Sequence, residues 1–162
     1  MDQLVPHLRN SRIYIADDQP ANVALLEAVL GRAGYTAISS FSNGASLLQA
    51  IRAQEPEIVM LDLHMPVMDG MDVLRDLAST PPSSGYLPIL VLTSDSSRDS
   101  RELALSTGAH DFLTKPFDRV EVLLRVHNLL ETRRLHQELR IRNVDLTAQV
   151  SSTPSPVSCR WA

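Results

Sequence analysis

The segment that most narrows what this chain can become is Ile58-Val59-Met60-Leu61-Asp62, followed at once by Leu63-His64-Met65-Pro66-Val67-Met68-Asp69-Gly70. An unbroken apolar run, closed by a carboxylate and a Pro- and Gly-containing loop, predicts a strand covered on both faces, as in a parallel sheet. Asp62 then stands at the strand's C-terminal end, the edge where open α/β sheets bind ligands. From this segment alone two readings stay open. Asp62 caps the following turn, or it serves as a nucleophile or metal ligand.

The chain of 162 residues accommodates one domain with a substantial core. Its formal net charge of -4 argues against a nucleic-acid-binding surface. A single cysteine, Cys159, excludes an intrachain disulfide and suits a reducing compartment. Residues 1–11 have no apolar signal-like core, and no run approaches the ~18 apolar residues that span a membrane. The expectation is a soluble, cytoplasmic protein without membrane contact.

The remaining chain alternates between the two hydrophobic periods. Arg12-Ile13-Tyr14-Ile15-Ala16 predicts a strand stopping at Asp17-Asp18. Pro20 opens a helix with Val23, Leu25, Leu26, Val29 and Leu30 on its apolar face, and Gly34 marks its end. A second strand is expected over residues 35–39. Asn43-Gly44 marks a turn before a second helix with Leu47, Leu48 and Ile51. After the strand ending in Asp62, a short helix covers residues 71–78 and a loop residues 79–85 (STPPSSG). Residues 88–93 form the fourth strand. A helix through Leu103, Ala104 and Leu105 closes at Gly108, and a short fifth strand over residues 111–114 ends at Lys115-Pro116. The last helix begins near Arg119 and runs through Val150. Strands alternating with helices imply a doubly wound parallel sheet with right-handed crossovers.

Parallel strands bring their C-terminal ends to one edge: Asp17-Asp18, Asp62, Thr93-Ser94 and Lys115. Carboxylates gathered there repel unless a cation shares their charge, and oxygen-only ligands favour Mg²⁺ or a similar hard cation. With Lys115 and the Thr93 hydroxyl beside them, the set suits a phosphoryl group in flight.

On these residues the chain resembles the receiver domain of bacterial two-component response regulators, over about residues 12–130. The acidic pair Asp17-Asp18, Asp62 with Met65-Pro66-Val67-Met68-Asp69-Gly70 behind it, Thr93-Ser94, and Lys115-Pro116-Phe117 stand in that family's order. The resemblance implies a flavodoxin-like five-stranded sheet in the order 2-1-3-4-5 with five helices, the last extended. It implies that Asp62 takes a phosphoryl group from a sensor histidine kinase or histidine phosphotransfer protein, forming an acyl phosphate. Asp18, Asp62 and the His64 backbone carbonyl would hold Mg²⁺ (or Mn²⁺), with Asp17 acting through water. Lys115 would pair with one phosphoryl oxygen and Thr93, next to Ser94, with another. The Lys115–Pro116 peptide would be cis. Phe112 matches an aromatic switch position: as Thr93 moves toward the phosphate, the ring turns inward. The face of the fourth helix, fifth strand and fifth helix then changes shape for a downstream partner. Such a domain is a phosphoacceptor rather than an enzyme with turnover. Phe112 lacks a tyrosine hydroxyl, so its switch works by packing. His64 and Asp95 lie where side chains influence attack of water on the acyl phosphate.

The other histidines, His7, His110, His127 and His136, form no ligand spacing. The expected organisation is a flexible arm over residues 1–10, a receiver domain over 11–130, a helical extension over 131–150 and a disordered tail over 151–162. Leu135, Leu139, Leu146 and Val150 are spaced as in a short coiled-coil seam interrupted by Arg142 and Gln149. An alternative reading is therefore a homodimerising adaptor module. Others are a truncated remnant of a regulator with a cyclic-di-GMP output, and a small Mg²⁺-dependent phosphatase, which the missing Asp-x-Asp spacing after the first strand disfavours.

Overall fold

The computed structural model describes residues 6–152, with side chains through residue 146. The strands are β1 (Arg12–Ala16), β2 (Ala37–Phe41), β3 (Ile58–Asp62), β4 (Ile89–Thr93) and β5 (Asp111–Thr114). The helices between and after them are α1 (Pro20–Ala33), α2 (Gly44–Ala53), α3 (Gly70–Ser79), α4 (Arg98–Thr107) and α5 (Arg119–Ser152). All pairings are parallel and the order is β2-β1-β3-β4-β5, the flavodoxin-like arrangement expected.

Strand alternation feeds two cores, one on each face of the sheet. Ile13, Ile15, Ile58, Met60, Leu90, Leu92 and Leu113 pack with Leu26 and Leu30 of α1 and with Val122 and Val126 of α5. Tyr14, Ala16, Val59, Leu61, Ile89 and Val91 pack with Leu47 of α2, Val73 and Leu74 of α3, and Ala104 of α4. Every residue of β3 and β4 is buried, which is why their sequences are unbroken apolar runs. Asn43, Asp69 and Ser97 cap α2, α3 and α4 by accepting the backbone N–H of Ser46, Asp72 and Ser100. Asn43-Gly44 is thus a helix start rather than a free turn.

The structure departs from the sequence expectation in further places as well. β2 starts two residues later than the expected 35–39, because Tyr35 and Thr36 complete the turn after α1. Gly34 takes a left-handed φ of 108°, Tyr35 N–H donates to Leu30, and the Tyr35 ring is buried. Leu25 is exposed because it lies off the buried face of α1, which carries Leu26, Val29 and Leu30. In α4 only Ala104 is buried, while Leu103 and Leu105 face outward. Within the stretch expected as an arm, Pro6–Leu8 form a short 3₁₀ turn, and Leu8 packs in the core with α1 and α5.

α5 continues without a break past Leu130, the last residue buried against the sheet, and ends at Ser152. Leu135, Leu139 and Leu146 are exposed on it, and the side chain of Val150 lies outside the described residues. So do Cys159, Trp161 and all but the first two residues of the expected tail. No described helix is long and apolar enough to cross a membrane.

Gly70 fixes how closely α3 approaches the end of β3. A Cβ there would stand 2.4 Å from the Asp62 carbonyl oxygen and 2.7 Å from Leu63 Cα, both backbone atoms that cannot rotate away. Gly31, within α1, has nothing within 4 Å of its would-be Cβ. Gly70→Ala should therefore destabilise the fold by about 2 kcal/mol, whereas Gly31→Ala should stabilise it by about 0.5–1 kcal/mol. Urea unfolding of the two variants beside wild type checks both signs.

Candidate functional site

Chain order reverses between β1 and β3: β1 leads outward to β2, and β3 leads the other way to β4 and β5. Such a reversal opens a crevice at the strands' C-terminal edge. The buried polar side chains among the described residues are Asp17, Asp62 and Thr93, 2%, 3% and 1% exposed, and all three stand at that edge. Buried polar groups are costly unless paired, so their partners decide the site's character.

Asp17 is fully engaged. Its Oδ1 accepts the Gln19 N–H at 2.9 Å, and its Oδ2 accepts from Asn22 Nδ2 at 3.3 Å and meets Lys115 Nζ at 3.1 Å. Asp62 Oδ1 accepts the His64 N–H at 3.1 Å, and Oδ2 lies 3.3 Å from the same ammonium. Asp18 is exposed and lines an open cleft with Asn22, Asp62, His64, Ser94 and Pro116. The carboxylate oxygens of Asp17, Asp18 and Asp62 lie within 4.8 Å of one another. Burial raises the Asp62 pKa above its ordinary value, and the Asp17 charge adds to the rise. The His64 N–H and Lys115 pull the other way.

The cluster of three carboxylates thus holds one ammonium, paired with Asp17 and Asp62, which leaves it negative. Hard oxygen donors, an open side and uncompensated negative charge fit a divalent ion of the Mg²⁺ kind. The Lys115–Pro116 peptide is cis.

Thr93 does not face Asp62 through a hydrogen bond. Its Oγ1 accepts the Asp95 N–H at 3.0 Å and donates to the Asp95 carbonyl at 3.2 Å. Asp95 itself is a local anchor. The Ser100 hydroxyl at 2.5 Å, with the Ser97 N–H at 2.8 Å, holds its carboxyl below the ordinary range. Phe112 is half-buried against the core of α2, α3 and α4, and the Arg101 guanidinium sits 5.8 Å from its ring centroid.

Neither Asn22 nor Arg101 stands among the site residues that the sequence pattern singles out. Asn22 lies in the first turn of α1, where a polar residue after an acidic pair and a helix-starting Pro is the available signal. Arg101 carries none, since nothing in its own helix predicts that it will overlie a residue on β5.

The response regulator receiver domain family matches residues 13–127. The chain is 39% identical over 133 residues to the response regulator PleD of Caulobacter vibrioides, covering 82% of this chain and 29% of that protein. It is 36% identical over 118 residues to the probable transcriptional regulatory protein TcrX of Mycobacterium tuberculosis, covering 73% of this chain and 49% of TcrX. The chain therefore spans less than half the length of either relative. The receiver domain of the sensor histidine kinase PA1611 from Pseudomonas aeruginosa superposes with a TM-score of 0.68 at 26% identity, covering 75% of this chain and 98% of that domain. That structure holds a magnesium ion in its active-site cleft. With the strand order, the acidic crevice and the match over most of its length in agreement, this chain belongs to the response regulator receiver domain family, whose members share phosphorylation on an aspartate and magnesium binding in the acidic cleft.

Proposed function

We propose that Asp62 is the phosphoacceptor of this chain, receiving its phosphoryl group from a phosphohistidine on a sensor histidine kinase or phosphotransfer protein. The observation that carries this reading is the placement of Asp62. It is buried, yet its carboxylate opens on the cleft, within reach of one ammonium and two further carboxylates. A carboxylate oxygen attacks phosphorus, the phosphorus–nitrogen bond breaks, and the imidazole leaves with the bonding pair as the acyl phosphate forms. Lys115, already 3.3 Å from Asp62 Oδ2, moves its charge onto a phosphoryl oxygen. Asp18, Asp62 and the His64 carbonyl are the groups that would hold Mg²⁺, and Asp17 stays engaged with Lys115 and the turn at Gln19. When bound, the ion supplies positive charge to the phosphoryl oxygens.

The downstream response follows from Thr93. A phosphoryl oxygen competes with the Asp95 backbone for its hydroxyl, so accepting it loosens the turn at Asp95 that precedes α4. Phe112 then repacks against the vacated space and Arg101 loses its ring contact. The surface that changes is the one formed by α4, β5 and α5, where Leu103, Leu105, Val120 and Leu124 are exposed. His64 and Asp95 flank the path of water to the acyl phosphate and tune its lifetime.

Incubation with acetyl phosphate and Mg²⁺ should give one phosphoryl adduct by intact mass, absent without Mg²⁺ and absent in Asp62→Asn. An adduct retained at the same extent by Asp62→Asn would overturn the assignment.

Stability gives an independent check. Because the fold raises the Asp62 pKa, folding disfavours its charged form. Stability therefore falls as pH rises from the ordinary carboxylate value through the raised one, and is flat above it. In Mg²⁺-free buffer at neutral pH, Asp62→Asn should raise the midpoint of thermal unfolding by a few degrees, about 1 kcal/mol. Added Mg²⁺ should raise the midpoint of wild type more than that of the variant.

A further inference from the structure

At the sheet edge opposite Asp62, the loop between α3 and β4 grips the part of α5 that extends beyond the domain. The Tyr86 ring stacks on His136 of α5, with centroids 4.2 Å apart and planes 13° from parallel. It meets His110, the residue before β5, edge-on at 5.0 Å. One turn further along α5, the Arg140 guanidinium donates to the Ser83 carbonyl at 3.0 Å. On its other side the loop is tied to the residues after α2, where the Ser83 and Ser84 hydroxyls donate to Glu55.

Tyr86 thereby joins two parts of the molecule that the sheet keeps apart. His110 stands opposite Ile89 in the β4–β5 pairing. Its Nδ1 accepts the Ile89 N–H at 3.0 Å, while its own N–H donates to the Ile89 carbonyl at 2.9 Å. Burial, then the nearby His136, pulls the His110 imidazole below its ordinary pKa, in keeping with an Nδ1 that accepts rather than donates. His136 belongs to the helix that covers the opposite face of the sheet. Tyr86 and His110 also line a cleft of about 160 Å³ together with Leu74, Leu77 and Leu87.

We propose that Tyr86 is a conformational link through which the β4–β5 edge, the edge carrying Thr93 and Phe112, sets how firmly the α5 extension is docked. Displacement of β5 moves His110, His110 moves the Tyr86 ring, and the ring holds or releases His136. The trigger, though not the link, rests on the phosphoacceptor reading of Asp62. The extension's exposed side chains, Leu135, Leu139 and Ile141, are thereby presented in one direction when the ring is seated and in many when it is not.

Hydrogen exchange of the full chain, followed over residues 132–142, tests the link without phosphorylation. His110→Asn keeps an acceptor for the Ile89 N–H but removes the ring under Tyr86. Although residue 110 belongs to no part of α5, this variant should speed exchange over residues 132–142 about three- to tenfold, as His136→Ala does by removing the direct contact. Unchanged exchange in His110→Asn, beside faster exchange in His136→Ala, would overturn the proposal. A second arm compares protein with and without beryllofluoride and Mg²⁺, loading at Asp62 being confirmed by ¹⁹F NMR. In wild type, loading should change exchange over residues 132–142, and in His136→Ala it should not. An equal response in both would overturn the proposal, whereas absence of a bound ¹⁹F signal would count against the Asp62 reading and leave the first arm to decide the link.

Discussion

One electrostatic constraint organises this molecule: Asp17, Asp18 and Asp62 are held with their oxygens within 4.8 Å of one another, and Lys115 supplies the single ammonium between two of them. Like charges at that spacing repel, and burial of two of the carboxylates makes the repulsion stronger than it would be in water. The arrangement survives because hydrophobic packing on both faces of the sheet fixes β1 and β3 side by side. The crevice is thus a strained electrostatic site maintained by a conventional core. Its surplus of negative charge suits it to a small divalent ion, while the upward shift of the Asp62 pKa comes first from burial, with the Asp17 charge adding to it.

Around that cluster the polar contacts divide into two sets with different stiffness. Asp17, Gln19, Asn22 and Lys115 form a closed group in which the carboxylate has all its partners. The Thr93 hydroxyl is held by the backbone of Asp95, in the turn that leads into α4. A new acceptor beside Asp62 therefore perturbs the turn before α4 more readily than the turn before α1. The proposed response at Thr93 draws on this difference, and the clasp at Tyr86 lies at the far end of the same strands.

The long α5 unites two environments in one helix. Up to Leu130 it is held by burial of Val122, Val126 and Leu129 in the core. Beyond that point its side chains are mostly exposed, and a lone helical segment of this length is marginal in water. What holds it in place near the domain is local: the Tyr86–His136 stack, the Arg140–Ser83 bond, and the His7–Glu131 pair at 2.7 Å. Each is individually weak, so the docking of the extension is a quantity that small changes can tune.

Much of this was legible in the chain itself. The unbroken apolar strands at 58–61 and 89–92 dictate a sheet covered on both faces, and a parallel sheet necessarily collects Asp17, Asp18, Asp62, Thr93 and Lys115 at one edge. Periodicity and strand direction are local properties, which is why they can be read without coordinates. The start of β2, the outward turn of Leu25, Leu103 and Leu105, and the docking of Leu8 depend on which helix face meets which neighbour, and short-range pattern does not contain that. The same holds for the contacts that give the site and the clasp their character. Thr93 bonding to Asp95 rather than facing Asp62, Arg101 over Phe112, and Tyr86 between His110 and His136 all join elements whose relative placement only the packed tertiary structure decides.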